Sequence, residues 1–172
     1  MRLTSPLWYL AAVAIALGGS ITGTAIAAGA WDGVRSATIA PATEPVDAAG
    51  HTLAIFTDQP QDGREITCTT RPADKPEAKG DEVTAAALDI VVEQRGTDWH
   101  LLALRPEGKD GVVISCVPAD GKADTALYGF AVVDGFESAD RGATIGSVSL
   151  ALALVLAGLV FWQRRRAHRA AE

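Results

Sequence analysis

The chain has 172 residues, 48% of them apolar, and a formal net charge of −6, a length that suits one domain with added segments rather than two globular domains. Charge is unevenly placed: Asp32 to Arg141 carries 20 acids against 10 bases, while the ends carry Arg2, Arg164, Arg165, Arg166 and Arg169 against Glu172 alone. An acidic middle excludes phosphate neutralisation by clustered Lys and Arg, so nucleic acid is not an expected partner.

No Asp, Glu, Lys or Arg occurs between Arg2 and Asp32, or between Arg141 and Arg164. A hydrocarbon core about 30 Å thick needs about 20 apolar residues in a spanning helix. The first run, Pro6 to Trp31, meets that length. It predicts a first transmembrane helix over residues 7–31, behind a short cytoplasmic N-terminus at residues 1–6. Trp8, Tyr9 and Trp31 are expected to anchor its two ends, because aromatic rings favour the headgroup boundary. A cleaved signal peptide remains the alternative: Ala25-Ile26-Ala27 is an A-x-A pattern, and Gly18-Gly19 could close an h-region. The single early positive charge, Trp8-Tyr9 and the length of the run favour an uncleaved helix.

Residues 32–141 follow as an expected extracytoplasmic domain. Short apolar runs alternate with turn-rich stretches: SATIA, HTLAIFT (51–57), REITCTT (64–70), AALDIVVEQ, DWHLLAL, GVVISCV (111–117) and ALYGFAVV (126–133). In AALDIVVEQ, Leu88, Ile90 and Val92 fall on one face and Asp89, Val91 and Glu93 on the other. Arg95-Gly96-Thr97 reads as a hairpin turn, and PADKPEAKGDE as a long polar connection. About seven strands at even spacing predict an all-β domain, a β-sandwich or small barrel. Cys68 and Cys116, the only cysteines, fall within two of these strands and predict a disulfide in an oxidising compartment. Two separate buried thiols are the bland alternative.

The second span, residues 142–163, ends in Phe161-Trp162 and runs straight into Arg164, Arg165 and Arg166. Trp162 is a further expected anchor, and the three arginines hold residues 164–172 in the cytoplasm as a basic tail. With Arg2 also inside, both ends are cytoplasmic and the middle is outside. Gly19 and Gly23, and Gly142 and Gly146, have the four-residue spacing that lets helix backbones approach. A general abundance of Gly and Ala explains the same pattern. If the spacing is used, its first use is to pack the two helices of one chain together.

No constellation for catalysis is evident, so the chain is not expected to be an enzyme. The histidines lack zinc spacing, no serine has a G-x-S-x-G setting and no phosphate-binding glycine loop occurs, so no cofactor or metal is expected. Asp120 with Asp124, and Asp134 with Glu137 and Asp140, could offer oxygens to Ca²⁺ but match no EF-hand loop and read as solvated turns. The leading expectation is a non-enzymatic binding or accessory module of the bacterial cell envelope, partnered by the lipid bilayer and by an envelope or membrane protein. The alternative is a structural or assembly protein that forms a homo-oligomer through its transmembrane helices.

The start SPLWYLAAVAIALGG, followed by VRSATIAPATEPVDAAGHTLAIFTD, resembles a group of uncharacterised actinobacterial two-pass membrane proteins with a PLWY-type first helix. The resemblance implies a small β-rich extracytoplasmic domain, a C-terminal helix and a basic tail. It brings no activity and no site residues.

Overall fold

The structure, a computed structural model, describes residues 5–60 and 65–169. Arg2, Arg64 and Glu172, and the first four residues of the expected N-terminal segment, lie outside the described residues. The chain divides into two units, Met1–Gly29 with Ser138–Glu172, and Ala30–Glu137.

The first unit is built from α1 (Leu7–Arg35) up to Gly29 and from α2 (Glu137–Arg169); the last turns of α1 belong to the second unit. Both are long and apolar enough to cross a membrane by length and composition. Each runs past its expected boundary, because neither flank carries a proline at that point: α1 continues through Trp31 and Asp32, and α2 starts before Gly142. The helices pack antiparallel through their small residues. A Cβ at Gly142 would lie 2.5 Å from the Gly23 carbonyl oxygen and 3.0 Å from the Ala27 nitrogen. One at Gly23 would lie 3.1 Å from the Gly146 nitrogen, and one at Gly19 would collide with the Ser149 side chain. The glycine spacing is therefore used within one chain, since only hydrogen fits where these backbones meet.

The second unit holds antiparallel strands in two sheets. They are β1 (Ala40–Pro41), β2 (Thr52–Thr57), β3 (Ile66–Pro72), β4 (Asp81–Glu82), β5 (Thr84–Ala85), β6 (Val91–Gln94), β7 (Thr97–Arg105), β8 (Val112–Pro118) and β9 (Tyr128–Val133). The larger sheet runs β1-β9-β2-β7-β5, with β6 also on β7; the smaller is β4-β3-β8. The two strands beyond the expected seven are β4 and β5, each two residues long and too short to carry a period. SATIA contributes only Ala40 to a strand. Two open sheets, not a closed barrel, make the sandwich.

One core cluster lies between the sheets, with Leu53, Ile55 and Ala103 from the larger meeting Cys68, Val112 and Ile114 from the smaller. The other face of the larger sheet is covered too. Ala54, Phe56, Leu101, Leu104, Ala131 and Val133 pack there with Ile39, Ile90 and Val34. All six residues of β2 are consequently buried. Strand β7 serves both faces by a bulge: Ile55 pairs with Ala103 but Phe56 pairs with Leu101, so Leu102 is extra. That insertion turns Leu101 and Leu104 to one face and Leu102 with Ala103 to the other.

The turn between β6 and β7 pairs Gln94 with Thr97, and both central residues have positive φ, 55° at Arg95 and 78° at Gly96. This is the type I′ geometry that matches strand twist. In the strand that precedes it, Ile90 and Val92 are buried as the alternation predicts, but Leu88 is 53% exposed because regular pairing starts only at Val91. Gln94 also completes the fold elsewhere. Its amide donates to the Ile39 carbonyl and accepts from the Ile39 N–H, both at 2.8 Å, in the manner of a strand pair.

Candidate functional site

Strand β8 is the exposed border of the smaller sheet. Val112 uses its outward N–H and C=O to bridge Val46, at 3.1 and 2.8 Å. Main-chain groups of a strand alternate sides, so those of Ile114 and Cys116 point the same way. The chain that carries Val46 runs alongside β8 only at this bridge, and among the described residues no backbone bond is made to Ile114 or Cys116 on that side. A cavity of about 480 Å³ opens there, walled by Ile114 to Cys116, Ala42, Thr43, Trp99 and Leu127. Leu127 and Val117 are 63% and 56% exposed beside it. Two outward pairs of donor and acceptor, two residues apart, match the spacing of an extended backbone.

Cys68 and Cys116 stand directly opposite each other in the β3–β8 register, with Cα atoms 4.0 Å apart and sulfurs at disulfide-bonding distance. That close pairing is the non-hydrogen-bonded kind, which independently places the Cys116 main-chain groups outward. The pair thus staples the strand whose free edge lines the cavity.

Polar clusters lie elsewhere on the second unit. Asp81 accepts from Lys109 Nζ at 2.9 Å and Arg105 Nη2 at 3.0 Å, while Arg105 also donates to the buried Thr70 hydroxyl. The Lys109 and Arg105 hydrogen bonds, with the charges behind them, hold the Asp81 carboxyl below the usual aspartate range. A second cleft, about 320 Å³, has His100 and Glu65 in its wall, and His100 Nδ1 lies 3.3 Å from Asp89. His51 pairs with Asp134. Among the described residues, neither histidine has a serine or cysteine in its cleft lining. Asp120 and Asp124 turn their carboxylates onto the N–H groups of Lys122 and Ala126, and Asp124 also accepts from Tyr128. No group of three or more potential ligands is placed to hold a metal ion among the described residues.

The expected anchoring residues separate into three places. Trp8 and Tyr9 lie half-buried in the first turn of α1, and Trp162 with Arg164, Arg165 and Arg166 lies near the end of α2. Trp31 lies in the second unit, against the core cluster and edge-to-face with Phe136 at 4.8 Å. Its packing role had no signal in the sequence beyond its size. The β8 edge was equally hidden, because strand order decides which strand is a border. Comparison with protein-family models, with curated proteins and with solved structures returned no match.

Proposed function

We propose that the chain is a membrane-tethered, non-enzymatic binding or accessory module of a bacterial cell envelope. Transmembrane helices at both ends hold the β unit on the extracytoplasmic side. The observation that most supports this is the outward apolar surface of the helices. Among the described residues, fifteen of the twenty exposed large apolar ones lie on α1 and α2, from Leu7 and Leu10 to Phe161 and Trp162. Full burial of such a side chain is worth about 1.5–3 kcal/mol, and these, 39% to 69% exposed, forgo a corresponding part in water that lipid restores. Two hydroxyls on these helices bond within their own helix, as lipid favours: Thr24 donates to the Ser20 carbonyl and Thr144 to that of Asp140, both at 2.8 Å. Arg164 to Arg166 favour the cytoplasm for the end of α2, and the antiparallel packing then carries the start of α1 to the same side. The Cys68–Cys116 pair suits the oxidising exterior. The likeness to actinobacterial two-pass proteins agrees with this layout.

Binding would use the free edge of β8, where an extended segment of an envelope protein adds as a strand and the cavity receives its side chains. Self-association through the helices has less support, because Gly19, Gly23 and Gly142 already pack within one chain.

The test has two arms. A reporter active only outside the cytoplasm should work in the Pro72 to Glu82 connection and fail after Glu172; the reverse pattern rejects the topology. Purification in mild detergent should recover a stoichiometric envelope protein that Leu127→Arg, an exposed change in the cavity wall, no longer retains. Equal recovery by wild type and variant removes β8 as the binding edge.

A further inference from the structure

We infer that one face at the end of α2, formed by Trp162, Arg165, Arg166 and Arg169, docks the headgroup of an anionic phospholipid. This rests on the membrane reading above and names the lipid chemistry involved. At 3.6 residues per turn these positions return to one side of the helix. All four are exposed. The Arg166 guanidinium lies over the Trp162 ring, 3.6 Å from its centroid. Such stacking attracts the cation by the ring quadrupole and leaves the N–H edges of the guanidinium free to donate.

Among the described residues the face has no counter-charge on its own helix after Asp140. After Asp140 the next acid is Glu172. Among the described residues, none of the ion pairs includes Arg165, Arg166 or Arg169. A cluster of permanent cations with no carboxylate paired to it among the described residues recruits an external anion. The depth of the residues selects a lipid. The apolar run ends at Phe161-Trp162, whose rings are 60% and 50% exposed and suit the hydrocarbon boundary. Arg166 then stands about 6 Å farther along the helix axis and Arg169 about 10 Å, the level of the phosphates. Guanidinium forks match phosphodiester oxygens with paired N–H bonds. A zwitterionic headgroup carries its own ammonium, which competes with the arginines, so phosphatidylglycerol should be preferred to phosphatidylcholine.

The full chain in mild detergent would be offered both lipids, with retention read by native mass spectrometry. Wild type should retain phosphatidylglycerol preferentially. Neutralising three arginines in R165Q/R166Q/R169Q should lower that preference by on the order of a hundredfold, about fivefold per charge. The lysine triple, R165K/R166K/R169K, should hold most of the preference. Unchanged preference in the glutamine triple overturns the assignment, and displacement of the bound lipid by inorganic phosphate alone does so too. Carbonate extraction of native membranes separates the two levels. Protein that resists extraction but shows no lipid preference rejects only the docking face, whereas protein released by carbonate rejects the membrane reading with it.

Discussion

In β2 six consecutive residues are buried, whereas on α1 and α2 most large apolar side chains face outward. The two units also use glycine for different ends. Gly19, Gly23 and Gly142 let helix backbones approach, while Gly50, Gly96, Gly111, Gly121 and Gly135 supply positive φ in the β unit. The same small residue removes a steric limit between segments in one region and within a segment in the other. The lesson is that apolar exposure has to be judged against the solvent each region is built for. Outward Leu and Val on a helix that can span lipid fit the lipid-facing surface proposed above. Outward Val117 and Leu127, beside two sheets with a buried core between them, fit the binding surface proposed above.

The largest way to break the comparison is to remove the staple that only the β unit has. Cys68 and Cys116 are 48 residues apart. Closing a loop of that size is worth roughly 4 kcal/mol in the chain-entropy model. The double Cys68→Ala/Cys116→Ala variant should lose about that much in denaturant unfolding of the β unit, with the far-ultraviolet helix signal persisting past the transition. A loss under about 1 kcal/mol would mean the strands are held by their ladder alone.

A smaller effect is expected from the helices. Gly142→Leu places a side chain where backbone atoms of Gly23 and Ala27 stand 2.5 and 3.0 Å from the Cβ position. Overpacking of this kind costs about 1–3 kcal/mol. Crosslinking between cysteines introduced on α1 and α2 should fall, while the unfolding midpoint of the β unit stays put. Retained crosslinking would show that the helices can slide past the obstruction.

These residues also separate what was legible from what was not. The run HTLAIFT implied a strand and Arg95-Gly96-Thr97 implied the turn, because local pattern dictates both, but that β2 is covered on both faces was not legible. Cys68 and Cys116 could be placed on strands, but their register depends on pairing between distant segments. The Leu102 bulge, the Gln94–Ile39 bonds and the border position of β8 are likewise tertiary facts, invisible to a period of two. The glycine spacing was visible, yet abundance accounted for it equally well until the partners of Gly23 were known.

The turn offers a third and finer comparison. Arg95 holds a φ of 55° that Asn adopts more readily. Arg95→Asn should therefore stabilise the β unit by up to about 1 kcal/mol, and Gly96→Ala should cost about 1–2 kcal/mol. Thermal unfolding of both variants checks the sign. Opposite shifts support the I′ turn, and a gain from Gly96→Ala would reject it.

The smallest effect should be the pH dependence carried by Asp81. Lys109 and Arg105 favour its ionised form in the folded state, so its folded pKa lies below its unfolded one. Folding then has this contribution in full above the ordinary carboxylate pKa of about 4. It fades as pH falls through the lowered folded value, because the folded state must take up the proton against two cations. Asp81 is more than half exposed, so solvent screens the contribution. Asp81→Asn should consequently be slightly less stable than wild type at neutral pH and converge with it in strong acid, with the gap at neutral pH narrowing as salt is added. Arg105 makes the outcome informative, since it is mostly buried and still reaches the Thr70 hydroxyl when the carboxylate is gone. A gap that persists unchanged into acid would mean that Asp81 acts through the geometry of Arg105 and Lys109 rather than through its charge.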